Sequence, residues 1–281
     1  DFTIQTGGLV VFPRLIASER PTIDVQGMIL TGNAEIDQLL GGGMDAGSCT
    51  LILGPAGVGK TVLTTEFAMA AAHRGERAVC FLFDERIRSF TTRARGLGID
   101  LDREIEAGRL VLRQIDPTQM SPGEFSDLVV RAVDREDAGL VAVDSLTGYL
   151  NAMPNEALLN IHLHELFSYL GQSGVTSLLT LAQHSPFNDS QSAADVSYLA
   201  DTVILLRYFE ATGEVRQAIS ILKKRSGAHE QTIREFRIRK GGLRVGLPLR
   251  SFQGVLSGAP QYIGAEGPLL GRTSASDPSP A

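Results

Sequence analysis

Eight consecutive residues have the types and the spacing of a phosphate-binding loop. The pattern G-x-x-x-x-G-K-[ST] is matched at every position by Gly54, Pro55, Ala56, Gly57, Val58, Gly59, Lys60 and Thr61. In such a loop the glycines let backbone N–H groups face phosphate oxygens, the lysine adds a positive charge, and the threonine hydroxyl can bind Mg²⁺. This stretch, called the phosphate loop from here on, predicts binding of a nucleoside triphosphate together with Mg²⁺.

The segments on either side of the phosphate loop predict the two elements that must hold it. Residues 49–53 form a short apolar run, which indicates a buried strand. Residues 61–73 are rich in alanine and indicate a helix, whose start adds a partial positive charge near the phosphates. A strand, a glycine loop and a helix start in this order favour a nucleotide site over a chance glycine turn.

Carboxylates follow two further apolar runs. Asp144 ends one of them, where it is suited to holding Mg²⁺ directly or through water, although a cap or a salt bridge would also explain an aspartate there. Ser145 then either supports that acid or caps the next turn. Asp84 and Glu85 follow the run 78–83, where a carboxylate either orients or deprotonates an attacking group, or caps the next helix.

A basic triplet, Lys223-Lys224-Arg225, ends another segment with β character. Three adjacent charges usually form a solvated turn, and the residues alone favour that interpretation. The alternative is a cationic finger that reaches a phosphate group.

Strand-like apolar runs alternate with helical patterns over most of the chain. One helix start is well marked, because Ser121 is a preferred N-cap and is followed by proline, glycine and an acid. From residue 202 the pattern becomes β-rich, at 203–208, 217–222 and 232–238, which predicts antiparallel strands at one edge. We therefore expect an α/β P-loop fold with a doubly wound, mostly parallel sheet and the ligand at the carboxyl ends of its strands.

Composition limits the class of protein and its partners. The 281 residues contain one phosphate loop, so one ATPase unit is the default. A net charge of −6 and a sequence pI near 5.4 argue against nucleic acid as a partner. Cys49 and Cys80 lie in apolar runs and are expected to be small core residues. Since no run is long enough to span a bilayer, we expect a soluble, cytoplasmic protein without membrane contact.

Changes in composition along the chain predict three segments. Residues 1–24 form a linker-like N-terminal segment that lacks an initial methionine, so we expect that something precedes it. Residues 25–263 form the ATPase domain. Residues 264–281 are rich in Gly, Ser and Pro and are expected to be disordered.

Taken together, these motifs resemble the KaiC-like family of the RecA superfamily. The similarity runs over almost the whole chain, from Phe2 to about Pro260. Besides the phosphate loop, it is carried by the acidic pair 84–85, the runs 143–147 and 199–208, the pair 213–214, the basic triplet 223–225, and the stretches 233–236 and 257–260.

The resemblance implies a RecA-like fold and a homo-oligomer, a hexameric ring with ATP held between neighbouring subunits. It also implies hydrolysis of ATP with Mg²⁺ and transfer of phosphate to hydroxyl side chains of the same protein. The family usually carries two such domains in tandem, and this chain resembles the second one alone. A preceding KaiC-like domain and clock or signalling partners are therefore implied as well.

The resemblance also implies roles for single residues. Lys60 and Thr61 would bind the phosphates and Mg²⁺, and Asp144 would complete the metal site. Asp84 and Glu85 fall at a pair of catalytic glutamates, so the first of the two is shorter here by one methylene group.

The remaining implied roles lie in the second half of the chain. Lys223 and Arg225 match cations that contact the γ-phosphate of the neighbouring subunit's nucleotide. Ser197 and Tyr198 fall where the family has adjacent serine and threonine phosphoacceptors. Because the tyrosine ring displaces its hydroxyl by several ångströms from the threonine position, Ser197 is the implied phosphoacceptor.

Three functions follow from these observations. The leading hypothesis is a self-assembling ATPase and serine/threonine autokinase that phosphorylates Ser197. The second is an ATP-gated signalling scaffold with slow hydrolysis and no kinase activity. The third, a DNA-stimulated RecA-type motor, is disfavoured by the acidic charge balance and by the lack of an evident basic loop with aromatic residues.

Overall fold

The computed structural model describes residues 1–152, 156–182, 197–211, 213–256 and 261–263. The predicted tail at 264–281 and the family marker at 257–260 lie outside these residues. None of the helices in the described ranges has the length and apolar character needed to cross a membrane.

The elements are numbered in chain order. The strands are β1 (Phe2–Gln5), β2 (Gly8–Val11), β3 (Met28–Ile29), β4 (Met44–Asp45), β5 (Cys49–Gly54), β6 (Arg77–Leu82), β7 (Leu110–Gln114), β8 (Ala138–Asp144), β9 (Thr176–Ala182), β10 (Thr202–Ala211), β11 (Glu214–Lys224), β12 (Arg234–Arg239), β13 (Gly242–Pro248), β14 (Phe252–Gln253) and β15 (Gln261–Tyr262). The helices are α1 (Ala34–Leu39), α2 (Lys60–His73), α3 (Ile87–Gly96), α4 (Asp102–Glu106), α5 (Pro122–Asp134), α6 (Leu146–Ala152) and α7 (Glu156–Gln172).

Nine of the strands form one sheet in the order β13-β12-β11-β10-β5-β9-β8-β6-β7. Every pairing from β10 to β7 is parallel. The pairings of β10 with β11, β11 with β12, and β12 with β13 are antiparallel. The predicted α/β fold, with a mostly parallel sheet and antiparallel strands at one edge, is confirmed.

The strand that leads into the phosphate loop lies in the middle of this sheet. β5 pairs with β9 on one side and with β10 on the other, and all six of its residues are buried. Chain connections leave in opposite directions from this point, which is where open α/β sheets bind ligands, at the carboxyl ends of the strands.

The central strands are apolar throughout because the sheet is covered on both faces. In β8, Val141 and Val143 pack in one core, whereas Leu140 and Ala142 pack in the other, as the two-residue period of a strand requires. Residues of α5, α6 and α7 complete the first core, and residues of α1, α2 and α3 complete the second. This double burial explains why the strands are visible in the sequence as continuous apolar runs.

The predicted start of α5 is present. The Ser121 hydroxyl accepts a hydrogen bond of 3.2 Å from the backbone N–H of Glu124, and Pro122 occupies the first helical position. This cap satisfies one of the backbone donors that every helix start leaves free.

Several short elements were not predicted from the sequence. They include α4, α6 and β13, together with the two-stranded pairs β3–β4 and β14–β15. Two of the seven residues of β13 are glycines, which have a low preference for strands. The strand forms because it pairs with β12.

Phe125 lies at the centre of an aromatic cluster between α5 and the sheet. Its ring centroid is 5.4 Å from that of Phe81, 5.2 Å from that of Phe83 and 5.1 Å from that of Tyr149, and the residue is 1% exposed. We expect Phe125→Ala to lower the free energy of unfolding by about 3–5 kcal/mol, because it leaves a cavity in this cluster. Urea denaturation measures the change.

Phe2→Ala is the matched control for this prediction. Phe2 is 62% exposed, so the same truncation is expected to change stability by no more than about 0.5 kcal/mol. Similar losses in the two variants would show that the cluster does not have the stabilising role assigned to it.

Candidate nucleotide site

The phosphate loop connects the carboxyl end of β5 to the start of α2. Gly54 and Gly59 have φ angles of 158° and 118°, which favour glycine. A Cβ added to Gly54 would lie 2.5 Å from the carbonyl oxygen of Leu206, and one added to Gly59 would lie 2.6 Å from Cδ1 of Ile238. Gly54 is therefore required by close packing against backbone, whereas Gly59 is required by its backbone conformation.

Lys60, the first residue of α2, turns its side chain back into the loop. Its Nζ donates hydrogen bonds of 2.8 Å to the carbonyl oxygen of Gly54 and 2.9 Å to that of Pro55, and the residue is 8% exposed. Burial lowers the pKa of Lys60, while the negative charges of Asp144 and Asp84 act in the opposite direction. An anionic phosphate group near this ammonium would replace neutral carbonyl partners with a charged one.

Asp144 ends β8 in a buried position beside the loop. It accepts a hydrogen bond from the hydroxyl group of Thr180 on the neighbouring β9, and the hydroxyl group of Thr61 lies near enough to favour its charged form. Burial raises the pKa of Asp144; the hydrogen bonds from Thr180 and Thr61, and then the charges of Arg93 and Lys60, oppose that rise. The carboxylate and the Thr61 hydroxyl group therefore lie on the same side of the phosphate loop.

Thr61 and Asp144 fit the requirements of Mg²⁺. No cluster of three or more His, Cys, Asp or Glu side chains suited to a metal ion occurs among the described residues. Mg²⁺ is commonly held by one or two protein oxygens, with water and substrate phosphates as its other ligands. The donor set of one carboxylate and one hydroxyl therefore suits an ion that arrives with a nucleotide.

Asp84 lies just beyond the carboxyl end of β6 and is exposed. The Ser145 hydroxyl donates a hydrogen bond to its Oδ2. The backbone N–H of Phe83 also donates a 2.8 Å hydrogen bond to the carbonyl oxygen of Asp144, which ties the ends of β6 and β8 together. Ser145 thus supports an acid, but the acid is Asp84 and not Asp144, its neighbour in sequence.

Glu85 is half-buried and points to a different partner. Its Oε1 accepts a 2.7 Å hydrogen bond from Nη1 of Arg93 on α3. Asp84 and Glu85, although adjacent, are therefore held separately, one by a hydroxyl group and the other by a guanidinium group.

Lys223 and Arg225 lie at the opposite end of the sheet from the phosphate loop. Lys224, between them in sequence, pairs with Thr202 of β10, which in turn pairs with Thr50 of β5. The loop begins at the other end of β5, about 13 Å away along the strand at roughly 3.3 Å per residue. The structure therefore does not bring these two cations together with Lys60, Asp84 or Asp144 of the same chain.

The two cations instead hold the segment 197–201, which contains Ser197. Lys223 and Arg225 donate hydrogen bonds of 2.6–3.3 Å to this segment. Their acceptors are the carbonyl oxygens of Ser197, Tyr198 and Ala200 and the carboxylate of Asp201. The Tyr198 side chain is 50% exposed and its ring stacks near that of His164, with centroids 6.5 Å apart.

Lys224 differs from both of its neighbours because it is buried. Its Nζ donates hydrogen bonds of 2.7 Å to the carbonyl oxygen of Leu40 and 3.1 Å to that of Gly43, and its side chain has no exposed surface. The basic triplet is therefore not simply a solvated turn, since each of its cations has partners within the fold.

Sequence reasoning missed four side chains that contact the predicted site residues. Thr180 hydrogen bonds to Asp144, and Arg93 pairs with Glu85. Gln217 donates a 3.2 Å hydrogen bond to the carbonyl oxygen of Val58 in the loop, and the Tyr208 hydroxyl lies beside Gly57, 3.2 Å from where a Cβ there would stand. The sequence offered one signal for Thr180, which is a polar residue within an apolar strand.

For Arg93, Gln217 and Tyr208 it offered none, because their contacts join residues that no local pattern connects.

Comparison with known proteins identifies the family. A family profile described as "ATPase: KaiC" matches residues 29–249, most of the chain. The chain belongs to the KaiC family. It is an ATPase domain of that family, as the resemblance of its motifs implied.

Individual KaiC proteins are similar along nearly the whole chain. The Circadian clock protein KaiC3 of Synechocystis sp. is 31% identical over 264 residues, which cover 92% of this chain and 51% of that protein. The Circadian clock oscillator protein KaiC is 28% identical in Picosynechococcus sp. and in Synechococcus elongatus, with 94% and 93% of this chain covered. The chain spans about half the length of these KaiC relatives.

We expect Asp144→Asn to stabilise the nucleotide-free domain at pH 7, because the amide avoids burying a charge and keeps an acceptor for Thr180. Since burial raises the pKa of Asp144 in the folded state, that state binds its proton more tightly than the unfolded chain does. The contribution of Asp144 to stability therefore increases as pH falls from 7 toward about 4, and the variant lacks this increase. Urea denaturation in EDTA across this range measures both effects.

Glu106→Gln is the control for this pH series, because Glu106 is exposed. It should leave the stability at pH 7 and its pH dependence close to those of the unsubstituted chain. An Asp144→Asn variant that is less stable at pH 7 and keeps the original pH dependence would contradict the prediction.

Proposed function

We propose that this domain binds ATP with Mg²⁺ at the phosphate loop, hydrolyses it at the interface of two copies, and transfers phosphate to Ser197. The observation that carries the proposal is the division of the candidate site between two ends of one sheet. Lys60, Thr61 and Asp144 lie at the carboxyl end of β5, whereas Lys223 and Ser197 lie at the other end. Residues so divided can act on one nucleotide if they come from neighbouring copies.

A contact between opposite ends of the same domain is head-to-tail. Such heterologous contacts close into rings when the rotation between copies allows it. This geometry supports a homo-oligomeric ring, and the family resemblance supports six subunits.

The chemistry proposed for the loop side follows from its charges. Mg²⁺, held by Thr61 and Asp144, would neutralise phosphate charge as the bond to the leaving group breaks. Lys60 would exchange its carbonyl partners for phosphate oxygens. Asp84, oriented by Ser145, would accept the proton of the attacking hydroxyl or water.

In the kinase step, the oxygen of an attacking serine hydroxyl forms a bond to the γ-phosphorus. The bond from that phosphorus to the β–γ bridging oxygen breaks, ADP leaves, and the hydroxyl proton passes to Asp84. In hydrolysis, water takes the place of serine and inorganic phosphate is released. Lys223 and Arg225 of the neighbouring copy would stabilise the negative charge of the transferring group.

Ser197 is the acceptor that we propose, because it lies on the segment held by these two cations. The carbonyl oxygen of Ser197 accepts a 3.1 Å hydrogen bond from Lys223. A cation that approaches a neighbour's γ-phosphate therefore brings the serine segment toward the same phosphate. Tyr198 follows directly but carries its hydroxyl at the far end of an exposed ring.

The names of the relatives suggest a wider setting for this activity. Two of them are called circadian clock oscillator proteins and one a circadian clock protein. We infer that the ATPase domain spans residues 25–263, that residues 1–24 link it to a preceding KaiC-like domain, and that clock or signalling proteins bind the ring. A cytoplasmic location, where ATP is supplied, goes with this proposal.

The shared interface predicts complementation between two inactive variants. Lys60→Ala loses tight ATP binding, and Arg225→Ala keeps binding but loses turnover. In an equal mixture, roughly a quarter of the interfaces pair an intact loop with an intact Arg225, so ATPase activity should reappear. Phosphate release from each variant and from the mixture measures this.

A mixture of Lys60→Ala and Asp144→Asn is the matched control. Both substitutions lie on the loop side, so no interface regains a complete site and turnover should stay absent. Equal recovery in both mixtures, or recovery in neither, would contradict a site shared between copies.

Intact-mass measurement after incubation with ATP and Mg²⁺ tests the kinase step. We expect a gain of about 80 Da for one phosphate group, which Ser197→Ala abolishes and Tyr198→Phe retains. A gain that persists unchanged in Ser197→Ala would exclude Ser197 as the main acceptor. ATP-dependent assembly without any gain in mass would favour the ATP-gated scaffold instead.

A further inference from the structure

We propose that Arg93 is a positioning residue of this site, which holds Glu85 away from the bound phosphates and leaves Asp84 as the carboxylate that faces the attacking group. This inference rests on the proposed ATPase function. It concerns a residue on α3 that belongs neither to the phosphate loop nor to the implied catalytic pair.

The first observation is the separation of the two adjacent acids. Arg93 reaches back one face of α3 to Glu85, with 2.7 Å between Nη1 and Oε1, while the Ser145 hydroxyl donates to Asp84. The guanidinium carbon of Arg93 lies 5.5 Å from the centroid of the Phe90 ring, one turn earlier on the same helix. Arg93 is therefore held by a ring and an acid, and Glu85 is held in turn.

The second observation is the charge balance around the loop. Three carboxylates, Asp84, Glu85 and Asp144, lie near the ends of β6 and β8, and Lys60 is the loop's own cation. The guanidinium group of Arg93 pairs with Glu85, whereas the ammonium group of Lys60 hydrogen bonds to the carbonyl oxygens of Gly54 and Pro55. Arg93 therefore supplies positive charge on the helix side of the site, whereas Lys60 is directed into the loop.

The third observation is a donor without an acceptor. Nη2 of Arg93 is buried and has no hydrogen-bond partner among the described residues. Buried polar groups are nearly always paired, so an orphaned donor calls for an explanation. Nη1 is committed to Glu85, so the bond to this acid is the one that holds the guanidinium group.

Without Arg93, Glu85 would lose the guanidinium group that holds its side chain and would be free to turn toward the bound nucleotide. A second carboxylate there would compete with the phosphates and disturb the alignment of the attacking group. Misplacement on this scale mainly affects the chemical step, since Lys60 and the backbone of the loop still bind the nucleotide.

The test compares steady-state ATPase kinetics of the 281-residue chain and its variants. We expect Arg93→Met to lower kcat by about 10- to 100-fold while KM for ATP changes by less than about threefold. Arg93→Lys, which keeps one charged donor for Glu85, should recover part of kcat. In the double variant Arg93→Met with Glu85→Gln, kcat should fall no further than in the worse single variant, because both changes break one pair.

Arg95→Met is the matched control. Arg95 lies on the same helix, is exposed, and pairs with Asp102 at 2.8 Å on the surface. The same substitution there should leave kcat and KM unchanged. If Arg93→Met does not fold, the comparison uses Arg93→Lys, in whose background Glu85→Gln should cost less than it does in the unsubstituted chain.

Unchanged kcat in Arg93→Met, or losses that multiply in the double variant, would overturn the proposal. So would a rise in KM without a fall in kcat, which a merely structural role in α3 would produce. The proposed function fails separately: in that case the unsubstituted chain and Arg95→Met both lack ATP turnover.

Discussion

Parallel pairing of β5, β9, β8 and β6 is the constraint on which the candidate site depends. Because parallel strands end at the same edge, this pairing collects the phosphate loop, Asp144 and Asp84 although the sequence separates them widely. The hydrogen bond from the N–H of Phe83 to the carbonyl oxygen of Asp144, and that from Thr180 to its carboxylate, fix neighbouring strand ends against one another. If any one of these strands ran in the opposite direction, the residues that follow it would lie at the other end of the sheet, away from the phosphate loop.

The chain reverses its direction at β11, and this places residues at the end of the sheet opposite to the phosphate loop. It returns Lys223 and Arg225 to the amino end of β5, where they bind the segment that carries Ser197. The far end of β11 thus places these two cations away from the domain's own phosphate loop, whereas Gln217 in the middle of the same strand contacts the loop. In the function that we propose, a nucleotide site that uses both sets of groups needs a second copy, and it is the order and direction of the strands that impose this requirement.

Two charged groups beside the phosphate loop are buried, which costs stability, although the proposed chemistry needs their charges. Asp144 and Lys60 are both buried, and desolvation disfavours the charged form of each. Lys60 donates to two carbonyl oxygens, and Asp144 accepts from the Thr180 hydroxyl group. Phosphate and Mg²⁺ would each bring an opposite charge to one of these buried groups, which offsets the cost of desolvating it.

The sequence by itself determined the phosphate loop, the buried strands and the fold class, because these depend on local spacing and on continuous apolar runs. It also picked out Asp84, Glu85 and Asp144 as strand-end acids. Only the tertiary structure decided which partner each acid has and which end of the sheet the basic triplet occupies. It also decided that Lys224 is more buried than either Lys223 or Arg225. The physical reason is that hydrogen-bond partners and strand order arise from contacts between residues far apart in the chain, which no local pattern encodes.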